Sequence, residues 1–155
     1  MKVAIDSDDA GIELKKIILA HVRDLQIEVE DLNFIGSRKA DYPDVGYNLA
    51  KRVGSKEFDR GILICGTGLG MAMIANKVEG VFAGVCHDVY SAERLSKSND
   101  AQVLTMGARV IGPELAKTVV SAWMSSQFQG GSSALKVARM RELERIERTI
   151  SKTTE

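Results

Sequence analysis

Short apolar runs of strand length alternate along the whole chain with longer stretches whose apolar residues recur at helical intervals. "KVAI" at 2–5 reads as a first strand, and 11–24 as a helix carrying Ile12, Leu14, Ile17, Ile18, Leu19 and Val22. "IEVEDL" at 27–32 alternates apolar and polar positions, as an edge strand does. A turn-rich stretch over 34–42 leads into a helix from Pro43 to Val53. "GILIC" (61–65) and "VFAGVC" (81–86) are nearly continuous in apolar character, as expected for the buried centre of a parallel sheet. "AQVLTMG" at 101–107 supplies a fifth strand, and helices over 88–97, 113–126 and 134–150 complete the pattern. The two prolines, Pro43 and Pro113, each fall near the first turn of a helix, where the missing N–H costs nothing.

Strand and helix in alternation imply an α/β, doubly wound, five-stranded parallel sheet of Rossmann-like type, because right-handed crossovers place helices on both faces. Strand order 2-1-3-4-5 fits best, with 3-2-1-4-5 as the alternative. In the first order the direction of winding reverses between strands one and three. That reversal brings "DSDDAG" (6–11) beside "CGTGLG" (65–70), so a ligand cleft is expected where these loops meet. "CHDVYSA" and "MGARVIG" end at the same edge. One domain over 1–150 is expected, followed by a tail at 151–155. Its last helix spaces Leu135, Ala138, Leu143, Ile146 and Ile150 among many charges, with no later element to cover them, which points to packing on a second subunit.

Composition narrows the partners. Of 155 residues, 45% are hydrophobic and 27% charged, and 21 basic residues balance 21 acidic ones. With no net charge there is no global field to draw nucleic acid or an anionic membrane, so neither is expected as a partner. The apolar runs are too short to span a bilayer, and "MKVAIDSDD" turns acidic where a signal peptide stays apolar, so a cytoplasmic protein is expected. Two cysteines, Cys65 and Cys86, make no disulfide framework, and with His21 and His87 alone a His/Cys metal cluster is not expected.

The chemistry gathers in "GILICGTGLGMAMIANKVEG" at 61–80. Gly66, Gly68 and Gly70 read G-x-G-x-G, not the dinucleotide spacing G-x-G-x-x-G, and they follow the third strand instead of the first. No Gly-Lys-Ser/Thr follows, so a triphosphate loop is excluded. Asp88 falls roughly where a ribose-binding acid would stand after the next strand, and it keeps a cofactor reading as the weaker alternative. Otherwise the loop offers backbone N–H groups at a helix N-terminus, suited to an oxyanion or a small polar ligand. Cys65 ends the central strand at that loop, where the helix dipole favours thiolate and burial opposes it. Cys86 lacks such a loop and reads as core, and Met71 and Met73 read as helix packing. Asp8 and Asp9 follow strand one, where one carboxylate serves as a helix cap and a pair suits a hydroxyl-rich ligand or Mg²⁺. A phosphorylatable receiver is excluded, since Cys65 stands where its aspartate would be and "MGAR" where its lysine would be.

"DSDDAG", "DYPDVG" (41–46), "RGILICGTGLGMAMIANKVEGVFAGVCHDVYSAERL", "SNDAQVLTMGARVIG" and "FQGGSSALKV" together resemble, in order and spacing, the ribose-5-phosphate isomerase B family, which includes the galactose-6-phosphate isomerase subunits. The resemblance spans roughly 1–145. It implies an aldose–ketose isomerase of a small phosphorylated sugar, interconverting ribose 5-phosphate and ribulose 5-phosphate without metal or organic cofactor through a cis-enediolate. Cys65 would be the base that moves a proton between C2 and C1, and the N–H groups of Gly66 to Gly70, with Thr67, would hold the oxyanion. The resemblance further implies substrate contacts from Asp8, Asp9, Tyr42, Asn99 and Arg109, and a homodimer or dimer of dimers whose sites are completed by the neighbouring subunit.

Three departures bear on the substrate. The family usually reads aspartate-histidine where this chain has Asp8-Asp9. It usually places a ring-opening histidine where this chain has Ser98, and phosphate-gripping arginines where it has Ser132 and Lys136. An alcohol is no substitute for imidazole as an acid or base near neutrality, though His87 lies nearby as a stand-in or as a helix cap. Without arginine forks the phosphate would rely on Lys136, Arg109 and Arg139 as charges. A tetrose 4-phosphate cannot close a furanose, because its phosphate occupies the oxygen needed. The departures therefore set ribose 5-phosphate against an acyclic substrate such as erythrulose 4-phosphate, with a non-catalytic partner subunit as the third reading.

Overall fold

The computed structural model describes residues 1–37 and 41–153. Five strands, β1 (Lys2–Ser7), β2 (Glu28–Asp31), β3 (Arg60–Cys65), β4 (Ala83–Val85) and β5 (Val103–Gly107), pair in parallel throughout. Between and after them lie α1 (Ile12–Asp24), α2 (Phe34–Ser37), α3 (Tyr42–Gly54), α4 (Leu69–Ala75), α5 (Val89–Lys97), α6 (Pro113–Met124) and α7 (Ser132–Thr153). The expected turn-rich stretch contains the one-turn α2, while 38–40 lie outside the described residues. Pro43 and Pro113 both sit in the first turn of their helices.

The expected doubly wound parallel sheet is present, but its order is β2-β1-β3-β5-β4, so the last two strands exchange places relative to expectation. Burial explains the exchange. All five residues of β5 are buried, whereas β4 is three residues long and none of its residues is fully buried, which suits an edge. The near-continuous apolar character of "VFAGVC" therefore marks an edge strand flanked by buried Val81 and Cys86, not the sheet centre. Winding toward β4 and then back to β5 places α5 on the same face as α1, as right-handed crossovers require.

Two apolar layers result. On one face Ile5, Ile62, Ile64 and Leu104 pack with Leu14 and Ile18 of α1, Ala92 of α5 and Val120 and Trp123 of α6. On the other, Ala4, Leu63 and Val103 pack with Val45, Leu49 and Val53 of α3 and Met71 and Ala75 of α4. The winding still reverses between β1 and β3, so their carboxyl ends form the crevice that the sequence anticipates. α7 runs to Thr153, past the expected end at 150, and meets the body through buried Val137 and through polar bonds. Arg141 pairs with Asp100 at 2.6 Å, and the Gly80 N–H donates to Glu144 at 3.2 Å. Leu135, Met140, Leu143, Ile146 and Ile150 stand exposed along it. No helix among the described residues is long and apolar enough to cross a membrane.

A buried ionic clasp ties β1 to β2 beside the crevice. Lys15, 4% exposed, reaches Asp31 at 2.8 Å and the fully buried Asp6 at 3.5 Å. Asp6 also accepts the Ser7 N–H at 2.8 Å and the Phe34 N–H at 3.1 Å. Burial pushes the Asp6 carboxyl above its ordinary pKa, and those two N–H groups and the Lys15 ammonium work against the shift. Removing one member of such a cluster leaves uncompensated charge in a dry site. Lys15→Met is expected to destabilise the fold by about 3 kcal/mol, read as a lower denaturant midpoint at unchanged slope.

Candidate functional site

β3 delivers Cys65 to the carboxyl edge of the sheet, 5% exposed, and the chain then turns sharply into α4. Gly68 makes the turn with φ of +79°, a left-handed conformation that a side chain disfavours. A Cβ there would also lie 2.8 Å from the Met106 carbonyl carbon. The seat of the loop is the end of β5, where a Cβ on Gly107 would come within 2.5 Å of Thr67 Cα. Hydrogen bonds lock this approach. Thr105 Oγ1 donates to the Gly68 carbonyl at 2.9 Å, the Ala108 N–H to the Cys65 carbonyl at 2.8 Å, and the Arg109 N–H to the Gly66 carbonyl at 3.0 Å.

The sulfur itself is oriented from inside the loop. The Gly68 N–H donates to Cys65 Sγ at 3.1 Å, and the Leu69 N–H to Thr67 Oγ1 at 3.3 Å. Two of the five loop amides are thus committed, which narrows the expected oxyanion set toward those of Gly66, Thr67 and Gly70.

Around the loop opens a cleft of about 340 Å³ lined by Asp8, Tyr42, Cys65, Gly66, Thr67, Leu69, Gly70, Met73 and Arg109. Asp8 reaches it from the end of β1, where its Oδ1 accepts the N–H groups of Ala10 (3.0 Å) and Gly11 (3.2 Å). Burial raises the Asp8 pKa; the two N–H bonds and, more weakly, Arg109 oppose the rise, while Asp9 adds to it. The Arg109 guanidinium lies over Gly66, with Nη1 3.1 Å from where a Cβ would stand, and the Tyr42 ring fills the space beside Gly70.

Of the residues singled out in the sequence, Asp8, Tyr42, Cys65, Gly66, Thr67, Gly70 and Arg109 meet in this cleft, with Gly68 buried beneath. Asp9 sits exposed in a 3₁₀ turn, and Asn99, Ser132 and Lys136 are exposed on α7 or just after α5; none of the four lines the cleft of its own chain. Ser98 is the C-cap of α5. His87 is not the helix cap, because Asp88 is: its Oδ1 accepts the Ser91 N–H at 2.7 Å. That cap also accounts for Asp88 without a ribose. Cys86 is core, and burial pushes its thiol up to about 11. Met71 packs in the core as expected, but Met73 is 67% exposed on the rim of the cleft. Leu69 and Met73 are the lining residues that sequence reasoning missed. Their signal was position, on the first turns of the helix that the glycine loop opens. Among the described residues no group of His, Cys, Asp or Glu is placed to hold a metal.

Comparison with known proteins matches the same span. The family model described as Ribose/Galactose Isomerase covers residues 3–140. The Listeria innocua "Ribose-5-P isomerase B" is 46% identical over 148 residues, 96% of this chain and 100% of the relative. The Pectobacterium atrosepticum "D-erythrulose-4-phosphate isomerase" is 47% identical over 141 residues, 90% of this chain and 93% of the relative. A solved structure of Clostridium thermocellum ribose-5-phosphate isomerase B superposes with a TM-score of 0.90 at 43% identity, covering 95% of this chain and 99% of that one.

The seat of the loop is testable apart from any substrate. Gly68→Ala adds a main-chain collision to left-handed strain and should lower stability by about 2–4 kcal/mol. Gly80 has a similar φ of +73° but open space around it, so Gly80→Ala should cost only the strain, about 1 kcal/mol. Thermal unfolding of the two variants side by side measures the difference.

Proposed function

The chain belongs to the ribose/galactose isomerase family, a family of sugar-phosphate isomerases, and from that premise we propose that it interconverts the ketose and aldose forms of an open-chain tetrose 4-phosphate. Erythrulose 4-phosphate and erythrose 4-phosphate are the pair meant. The observation that carries this reading is Ser98 at the position where the family usually places its ring-opening histidine, in a chain whose cleft brings Cys65, the glycine loop, Asp8 and Arg109 together. A furanose substrate needs an acid and base to open its ring, and a four-carbon sugar phosphorylated on O4 has no such ring to open. The near-equal likeness to the relative named for erythrulose 4-phosphate supports the same substrate.

In this reading Cys65, as thiolate, removes the proton from the carbon next to the carbonyl and returns it to the neighbouring carbon. The electron pair passes through a cis-enediolate, and the charge that builds on oxygen meets the amides of Gly66, Thr67 and Gly70. Such donors act mainly on the transition state, because the oxygen bears full charge only once the carbon acid has ionised. Thiols are within the range that protein surroundings tune for general-base work. Asp8 accepts a substrate hydroxyl and Arg109 faces the anionic end. A reducing, cytoplasmic setting suits a thiol that must stay unoxidised. The Listeria relative, matched over its full length, favours ribose 5-phosphate as the second reading.

A homodimer belongs to the proposal. The inner side of α7 buries Val137 and is bonded through charges, while Leu135, Leu143 and Ile146 face outward, which suits a second copy. In the dimer Asn99, Ser132 and Lys136 would serve the neighbour's cleft.

Two experiments test the reading. Steady-state rates on erythrulose 4-phosphate and ribose 5-phosphate should favour the tetrose by about 100-fold or more in kcat/KM, with Cys65→Ala lowering either rate by at least ~10³. A comparable rate on the pentose overturns the acyclic substrate, and a retained rate in Cys65→Ala overturns the assigned base. Leu143→Glu combined with Ile146→Glu should yield monomers by sedimentation and reduce turnover at least tenfold, about 1.4 kcal/mol or more; active monomers exclude a shared site.

A further inference from the structure

β4 stops at Val85 while its neighbour β5 continues to Gly107. Val85 pairs with Thr105, and the Cys86 N–H carries the ladder on to the Thr105 carbonyl at 3.0 Å. In a parallel ladder the next bond would run from the Gly107 N–H to the main-chain carbonyl of Cys86. It runs instead to a side chain: the Gly107 N–H donates to His87 Nε2 at 2.8 Å. Imidazole accepts only through a nitrogen that carries no proton, so this bond requires the neutral ring with its hydrogen on Nδ1.

Gly107 is also the seat on which the Cys65 loop rests. Thr67 lies directly against it, and the N–H groups of the next two residues hold the carbonyls of Cys65 and Gly66. Its own carbonyl accepts from Val110 at 2.9 Å and Ile111 at 3.0 Å, which fixes the turn that carries Arg109. His87 supplies the bond on the open side of this residue, beyond the last residue of β4.

We propose that neutral His87 is a positioning residue for isomerisation: its Nε2 holds Gly107, and through Gly107 it keeps the Cys65 sulfur, the loop amides and Arg109 in register with one another. The proposal rests on reading the Cys65 cleft as the isomerase site. His87 does not line that cleft and moves no proton of the substrate.

The ring is half-buried, and among the described residues Asp88 is the charged group that acts on it. Burial holds its pKa below the ordinary value, and Asp88 pulls the other way. For a histidine whose folded pKa is depressed, the stabilising bond is intact above the unfolded value of about 6.5 and is lost as pH falls through the folded one. Protonation would set two N–H groups against each other and leave the Gly107 amide without an acceptor.

The test compares wild type, His87→Gln and His87→Leu. Glutamine places an amide oxygen where Nε2 stood and does not titrate, whereas leucine offers no acceptor. His87→Leu should lower kcat about tenfold or more, and His87→Gln should recover it to within about threefold. Below pH about 6.5 the ratio of wild-type to His87→Gln kcat should fall, because every other titration in the site is common to both proteins. Nitrogen NMR of the wild-type imidazole should show a bare Nε2 at about pH 7, a readout that survives if His87→Leu fails to fold. A protonated Nε2, an undiminished His87→Leu, or a His87→Gln no better than His87→Leu overturns the proposal. Retained turnover in Cys65→Ala overturns the underlying site reading and the proposal with it; an inactive Cys65→Ala beside an undiminished His87→Leu overturns the proposal alone.

Discussion

The close seating of the 65–70 loop on the end of β5 is the constraint from which the rest of the site follows. Main chain meets main chain there, with Thr67 against Gly107 and Gly68 against Met106, so there is no side chain whose rotamer could absorb an error. Polar groups trapped in such a contact must be satisfied within it, and they are, by Thr105, Ala108, Arg109 and the Cys65 sulfur. The result is a thiol, a set of amides and a guanidinium fixed to one another by short backbone links instead of long side chains. Preorganisation of this kind is what allows fixed dipoles to act on charge that exists only briefly.

The strand order explains why β5, and not β4, can be that seat. A loop leaving β3 can lie down only on an immediate neighbour, and β5 is that neighbour on the side away from β1. β1 lies on the other side and contributes Asp8, so the crevice is bounded by an acid from one neighbour and Arg109 from the other. Exchanging the last two strands would have put Cys86 and His87 beside Cys65, and Arg109 one strand too far away. The short β4 then has one remaining task at this edge, which is to leave an imidazole in reach of Gly107.

Much of this was legible in the sequence, and the parts that were not share a cause. Periodicity located every strand and long helix to within a few residues, because burial of one face is a local property of the chain. The reversal of winding between β1 and β3 was legible for the same reason, and with it the meeting of "DSDDAG" and "CGTGLG". The order of β4 and β5 was not, since "VFAGVC" and "AQVLTMG" are both apolar and differ mainly in how many residues the partner strand covers. The Asp6–Lys15–Asp31 clasp was also missed. Its members are far apart in the chain, and each reads alone as an ordinary surface charge. His87 escaped for a related reason, because its role depends on where a neighbouring strand happens to end.

Charge balance closes the account of why one chain's cleft looks unfinished. Among the described residues that line it, Arg109 is the one cation, and Asp8 faces it with a negative charge when ionised. A phosphate dianion drawn partly out of water needs more positive charge than a single guanidinium shared with a carboxylate can give. The chain's remaining candidate at a motif position is Lys136, and it stands exposed on α7, outside its own cleft. The same helix carries the exposed apolar stripe, so the surface proposed to meet a second copy also holds that lysine. In the proposed homodimer, assembly and phosphate binding are one requirement, met when the apolar stripe is buried and Lys136 is brought to the neighbouring cleft.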